Sequence, residues 1–117
     1  MIKGFSGASV WSSDLNNLLP FYRDTLGLTV QFESPEFIVF GSGGPTMGLG
    51  THSEVKGKAG DPYRHMVGLD SDDLDGDYER LKKAGVDFIE APTNYGGLRI
   101  ATLRDPEGNI IQLFQPA

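Results

Sequence analysis

The chain contains no cysteine, and its 117 residues include only two histidines and one tryptophan. The lack of cysteine excludes a disulfide framework, a thiolate metal site and a cysteine nucleophile. No apolar run approaches the length of a membrane span, and the N-terminus lacks the charged and then apolar pattern of a secretory signal. We therefore expect a cytoplasmic protein with no membrane partner.

Basic residues are also scarce, with 10 Lys and Arg against 16 Asp and Glu and a formal net charge of −6. This balance argues against nucleic-acid binding, because no basic stripe is present to displace the counterions of a phosphate backbone. It mildly favours a cationic ligand over an anionic one. The hydrophobic fraction of 38% is ordinary for a soluble protein, and the length fits one domain.

An internal repeat organises the chain. Asp14 and Asn16-Asn17 offer N-caps for a first helix that is expected to run to about Leu26 and to be ended by Gly27, because Asp and Asn cap helix N-termini and glycine ends helices. The second is expected to begin at Asp72 or Asp73 and end at Gly85. Asp14 and Asp72 are as far apart as the two glycines, which indicates two copies of one strand–helix–three-strand module. The predicted strands are 3–12, 28–33, 36–41, 45–51, 63–70, 86–91, 98–104 and 109–115.

The repeat predicts a single domain in two modules. Module one covers about 1–52, a polar linker about 53–62, and module two about 63–117. The fold class is α+β, with two βαβββ modules that form a half-open, cup-shaped mixed sheet and helices on the outside. One helix covers one face of each sheet, so the uncovered faces offer a ligand cavity if the modules enclose them.

The last predicted strand carries one polar side chain among apolar ones. The run Asp105–Gly108 is a strong turn signal, and residues 109–115 then alternate between two faces. Ile110, Gln112 and Phe114 share one of these faces. Gln112 is either a hydrogen-bonded core amide or part of a site, and the two readings are nearly equal.

Several segments resemble one known family. Asp14-Leu15 with residues 21–28 (FYRDTLGL) is similar to the D-L-x-x-x-x-x-F-Y-x-x-x-L-G-L opening of the vicinal oxygen chelate superfamily, the glyoxalase, bleomycin-resistance and extradiol-dioxygenase group. Residues 65–72 resemble the opening of its second module, and residues 105–109 its closing turn. The resemblance spans nearly the whole chain. It implies the two-module fold, but the superfamily includes isomerases, epimerases, dioxygenases, thiol transferases and non-enzymatic drug binders.

The resemblance also implies where a metal would bind. In metal-dependent members the ligands come from the first and last strands of each module, at positions that match Gly7, Gly48, His65 and Gln112 here. The two glycines have no side chain to coordinate, and a divalent ion normally takes at least three protein ligands. We therefore expect no catalytic metal, with His65 and Gln112 as ligands if a divalent metal does bind. The two glycines are expected to leave empty volume at the cup floor.

The candidate ligand-binding residues combine these positions with the aromatic side chains predicted to share their faces. Trp11 shares a strand face with Gly7 and offers a flat surface for a planar or cationic ligand, although core packing explains it equally well. Tyr63 and Tyr95 flank loops and are candidates for a rim. His65 is the candidate catalytic residue. The predicted ligand-binding set is Gly7, Trp11, Gly48, His65, Gln112 and Phe114.

Three functions remain open at this point. The leading hypothesis is a small-molecule binding protein of the bleomycin-resistance type that holds an aromatic or cationic compound without a cofactor. The rival is a lyase, isomerase or dioxygenase that uses a metal on His65 and Gln112, or His65 alone as a general base. The third is a regulatory or assembly module with a vestigial pocket. We expect a homodimer, because the family usually pairs subunits and the edge strands of small sheets need covering.

Overall fold

The computed structural model describes residues 1–116, which form two compact units. The first unit covers residues 1–57 and the second begins at Lys58, so the boundary lies inside the predicted linker. Each unit contains one four-stranded mixed sheet. No helix within residues 1–116 is both long enough and apolar enough to span a membrane.

The sheet of the first unit has one parallel and two antiparallel strand pairs. The outer strand β1 lies parallel to β4, and β4 pairs with β3 and β3 with β2 in antiparallel fashion. This order, β1–β4–β3–β2, brings the first and last strands of the module side by side. The strands are β1 (Gly7–Ser12), β2 (Val30–Glu33), β3 (Phe37–Phe40) and β4 (Thr46–Thr51).

The helical segment predicted in the first unit is present but is not a regular α-helix. A 3-10 turn at Leu15–Asn17 is followed by a π-helix at Pro20–Thr25, in which the amide of Leu26 donates to the carbonyl of Phe21 at 2.8 Å. Pro20 has no N–H to continue the first turn, so the two segments are separate. A π-helix accommodates one residue more than an α-helix of the same length.

The second unit repeats this plan with a regular helix. Its order is β5–β8–β7–β6, with β5 parallel to β8 and the remaining pairs antiparallel. The helix α1 (Leu74–Lys83) packs against the last three strands of the unit. A 3-10 turn at Pro62–Arg64 delays the predicted strand 63–70. The strands are β5 (Met66–Asp70), β6 (Asp87–Tyr95), β7 (Leu98–Arg104) and β8 (Ile110–Pro116).

The helix boundaries follow the predicted caps. The side chain of Asp14 accepts from the amide of Asn16, and that of Asp73 accepts from the amide of Gly76 at 3.1 Å. Gly27 and Gly85 have φ angles of 78° and 87°, the left-handed conformation that glycine adopts most readily. The segment from Asp14 to Gly27 is one residue longer than that from Asp73 to Gly85. The π-helix absorbs this extra residue, so the two caps and the two glycines remain equivalent.

The same hydrogen bond joins the last strand to the helical segment in both units. In the first unit the amide of Leu15 donates to the hydroxyl of Thr51 at 2.9 Å. In the second, the amide of Leu74 donates to Oε1 of Gln115 at 2.8 Å, and Nε2 of Gln115 donates to the carbonyl of Asp72 at 2.8 Å. These amides are the ones that a helix start leaves without an internal partner. The predicted two-module α+β fold is therefore confirmed, and the two modules also share this bond.

One face of each sheet is packed against the helical segment of its own unit. In the second unit, Gln115 and the ion-paired Arg99 mark this face, since both contact the start of α1. By strand alternation Ile111, Leu113 and Leu103 lie on the same side, and all three are buried. The opposite face carries the alternate residues of the same strands.

Candidate functional site

A hollow of about 350 Å³ lies on the face of the second sheet that α1 does not cover. Its apolar wall consists of Met66 from β5, Ile89 from β6 and Ile100 from β7. Tyr63 and Tyr95 also line the hollow, and they are 58% and 51% exposed. A volume near the lower end of small-molecule sites and a mostly apolar lining suit a compact organic ligand.

The polar part of the hollow comes from three adjacent strands. Thr102 of β7 lies directly opposite Gln112 of β8, and Glu90 of β6 lies opposite Thr102. Gln112 is half-buried, and within residues 1–116 its amide makes no side-chain hydrogen bond. An amide with free donors and acceptors at the side of an apolar hollow is available to a ligand.

Among residues 1–116, Glu90 is the only charged side chain that lines the hollow. The hydroxyl of Tyr95 donates to Oε1 of Glu90 at 2.6 Å. This hydrogen bond raises the pKa of the Tyr95 phenol, with burial and the carboxylate charge adding to the effect. The phenol is therefore a hydrogen-bond donor at neutral pH, and Glu90 is held by it.

The exposed face of the first unit carries an aromatic cluster, which consists of Trp11, Phe37 and His52. The Trp11 and Phe37 rings stack with centroids 5.4 Å apart and planes at 27°, and His52 meets Trp11 edge-on at 5.6 Å. Trp11 remains 39% exposed. It thus presents part of its ring to solvent, and the rest of the ring packs against these aromatic neighbours and over Gly50.

The glycines of this face have structural reasons to be glycine. A Cβ at Gly7 would collide with the backbone carbonyl of Thr46, where β1 and β4 approach closely. A Cβ at Gly48 would lie 2.6 Å from Cζ of Phe37. The volume expected to be empty above Gly48 is therefore filled by a phenyl ring. The two glycines allow close packing within the first sheet.

Of the site residues predicted in the second unit, Gln112 lines the hollow and His65 does not. Gln112 lines the hollow, and the Phe114 ring lies on the same face, over Gly68. His65 is exposed, precedes β5 and is not part of the lining of the hollow. In the β5–β8 register Met66 lies opposite Ile110 and so shares the face of Gln112. Met66 therefore occupies the place beside Gln112 that the resemblance gives to His65.

The remaining lining residues were not predicted from the sequence, apart from the two tyrosines proposed as a rim. Glu90 was missed because β6 has register shifts between Phe88 and Glu90 and again before Thr93. Each shift changes which face the next residues occupy, so alternation read from the sequence fails across it. The available signal was a pair of acidic residues, Asp87 and Glu90, inside a strand-like segment that is otherwise apolar, residues 86–91.

The residues present do not fit the metal site that the resemblance implies. Gly7 and Gly48 have no donor side chain, and His65 lies outside the hollow that holds Gln112. In the part of the chain that the structure describes, no group of three His, Cys, Asp or Glu side chains is placed to hold a metal ion. A divalent ion normally takes at least three protein ligands, which the residues at these positions do not supply.

Comparison with known proteins gives one matching family and one partial relative. The family model of the Glyoxalase/Bleomycin resistance protein/Dioxygenase superfamily matches residues 5–113. The uncharacterized protein YurT of Bacillus subtilis (strain 168) is 44% identical over 43 residues, which are 37% of this chain and 34% of that protein. The chain thus matches only about a third of the length of this curated relative.

Solved structures match over almost the whole chain. TnmS3, an antibiotic binding protein from Streptomyces sp. CB03234, is 26% identical with a TM-score of 0.79, and the match covers 99% of this chain and 98% of TnmS3. A member of the Glyoxalase/bleomycin resistance protein/dioxygenase superfamily from Sphaerobacter thermophilus DSM 20745 is 25% identical with a TM-score of 0.75, and the match covers 97% of both chains.

Proposed function

The chain belongs to the Glyoxalase/Bleomycin resistance protein/Dioxygenase superfamily, and we propose that within it this protein binds a small aromatic or cationic compound in the hollow of its second unit. The observation that carries the proposal is the composition of that hollow. It combines an apolar wall, two tyrosine rings, a free amide at Gln112 and one carboxylate at Glu90. Binding sites for organic molecules have this combination of apolar walls and a few polar groups.

Two further observations support binding over catalysis. The donors that a metal-dependent member would need are replaced by glycine at residues 7 and 48, and both glycines are explained by close packing. The hollow also lacks histidine, the commonest general base in enzymes, because His65 lies outside its lining. TnmS3, described as an antibiotic binding protein, is a full-length structural match and supports the same class of function.

The proposal is tested by a ligand screen that reports where a compound binds. Uniformly ¹⁵N-labelled protein is titrated with a panel of aromatic and cationic compounds, and amide shifts are followed by NMR. We expect hits to shift the amides around Met66, Glu90 and Gln112. Met66→Ala removes apolar contact, and Gln112→Ala removes the free amide. Each substitution is expected to weaken binding by roughly 3- to 10-fold, the effect of about 1 kcal/mol.

A matched control separates loss of the site from general damage. Glu79→Ala lies on α1, which packs against the opposite face of the sheet, and it is expected to leave binding unchanged. Hits whose affinity is unaffected by both Met66→Ala and Gln112→Ala would show that the hollow is not the binding site. Turnover of a hit into a new compound would instead support an enzyme.

A further inference from the structure

The carboxylate of Glu90 has no cationic partner among residues 1–116. Glu90 is half-buried in β6, and the hydroxyl of Tyr95 is bonded to its Oε1. Within residues 1–116, no arginine or lysine forms an ion pair with it. A partly desolvated carboxylate with a free oxygen attracts a positive group more strongly than a fully exposed one does.

The arginines are all engaged elsewhere. Each of the five arginine side chains of this sequence forms an ion pair with an aspartate. The nearest in sequence to the hollow's rim, Arg64, is paired with Asp61 at 2.9 Å. Arg99 of β7 lies on the helix face, where it is paired with Asp75 at 3.0 Å. In the part of the chain that the structure describes, the arginines thus neutralise aspartates, and none of them forms an ion pair with Glu90.

The groups around Glu90 favour an organic cation over a metal ion or an anion. Tyr63 and Tyr95 place aromatic rings in the lining, and the faces of such rings attract ammonium and amidinium groups. Met66 and Ile100 supply apolar contact for the rest of a ligand. A hard metal ion requires several oxygen ligands, and the hollow has a single carboxylate. An anion would meet the Glu90 charge, and none of the described residues that line the hollow is basic to offset it.

We propose that the hollow of the second unit selects organic monocations with an aromatic or other apolar body, through an ion pair between the cation and Glu90. This inference rests on the proposed function, since it assigns a ligand class to the same site. The hydrogen bond from Tyr95 engages one oxygen of the carboxylate, and the other oxygen accepts from the cation of the ligand in this proposal. The apolar body lies against Met66 and Ile100, and the amide of Gln112 is available to a polar substituent.

The test compares two ligands of the same shape that differ in charge. Benzamidine is a planar aromatic cation at neutral pH, and benzamide is its neutral isostere. Both are titrated into ¹⁵N-labelled full-length protein, and the amides of residues 66, 90 and 112 report binding in the hollow. We expect benzamidine to bind about tenfold more tightly than benzamide, the effect of ~1.4 kcal/mol.

Two variants connect this preference to Glu90. Glu90→Gln removes the charge but keeps an oxygen that accepts from Tyr95, so the ratio of the two affinities is expected to fall to about one while benzamide binding is unchanged. Glu79→Gln makes the same charge change on α1, against the other face of the sheet, and is expected to keep the tenfold ratio. The pair separates a local ion pair from the general effect of net charge.

Each outcome bears on one of the two proposals. Equal affinities of the two ligands in the unaltered protein, with shifts in the hollow, would overturn the selection of cations and leave the binding function standing. A tenfold ratio that persists in Glu90→Gln would also overturn the role of Glu90. If neither ligand shifts the amides of the hollow, both the selection and the proposed site are overturned.

Discussion

The bond between Gln115 and the start of α1 offers the sharpest test of how the second unit is held together. Gln115 accepts from the amide of Leu74 and donates to the carbonyl of Asp72, both at 2.8 Å. Gln115→Met keeps the length and flexibility of the side chain but removes both hydrogen bonds. The amide of Leu74 then lies at a helix start with no partner from the last strand.

The magnitude follows from the burial of the two bonds. The bond from Leu74 is partly buried and Leu74 itself is fully buried, so loss of its acceptor is expected to cost about 1–2 kcal/mol. The bond to Asp72 is exposed to solvent and is expected to add about 0.5 kcal/mol. The free energy of unfolding should therefore fall by roughly 2 kcal/mol, and the midpoint of thermal unfolding by roughly 6–8 °C.

The matched control lies on the same strand. Gln112→Met makes the same chemical change on the opposite face, where the side chain has no hydrogen bond within the described residues, and it should alter stability by less than about 0.5 kcal/mol. Both variants are unfolded in urea and by heat. Equal destabilisation by Gln115→Met and Gln112→Met would refute the reasoning, because burial and packing alone would then account for the loss.

The fold was largely predictable because local and global signals agree. The caps and helix-ending glycines recur at matched intervals, and strand alternation correctly groups Ile110, Gln112 and Phe114 on one face of the last strand. The π-helix was not predictable, since propensity does not distinguish it from an α-helix. Its signal in the sequence was that the segment from Asp14 to Gly27 is one residue longer than the segment from Asp73 to Gly85. This difference can be recognised only once Asp73, and not Asp72, is known to be the second cap.

The site was less predictable than the fold because it depends on register. The spacing of the helix-ending glycines makes His65 the counterpart of Gly7. The sheets make Met66 its counterpart, because Gly7 pairs with Thr46 at the start of β1 and Met66 pairs with Ile110 at the start of β5. The two readings differ by one residue, and a shift of one residue in a strand exchanges the faces. Side-chain contacts such as that of Phe37 with Gly48 join separate strands and have no counterpart in sequence spacing.

Two further predictions test the aromatic cluster and the ion pair on α1. Gly50→Ala would place a Cβ 2.5 Å from Cζ3 of Trp11, so we expect the Trp11 ring to be displaced. The displacement should lower the free energy of unfolding by about 1–3 kcal/mol and shift the fluorescence emission of Trp11. Unchanged emission would contradict this packing. Arg99 forms two hydrogen bonds with Asp75. These hydrogen bonds are the main reason that the pKa of the Asp75 carboxyl lies below its ordinary value of 3.8. Because the folded-state pKa is depressed, the pair stabilises the protein above pH 3.8, and that stability is lost as pH falls through the lowered folded-state value. Arg99→Met should therefore lower the unfolding midpoint at neutral pH, by a small amount because Asp75 is exposed, and the difference from the unaltered protein should shrink below pH 3.8. A difference that stays constant from neutral to acidic pH would mean that Arg99 acts through packing of its aliphatic stem, since packing does not titrate.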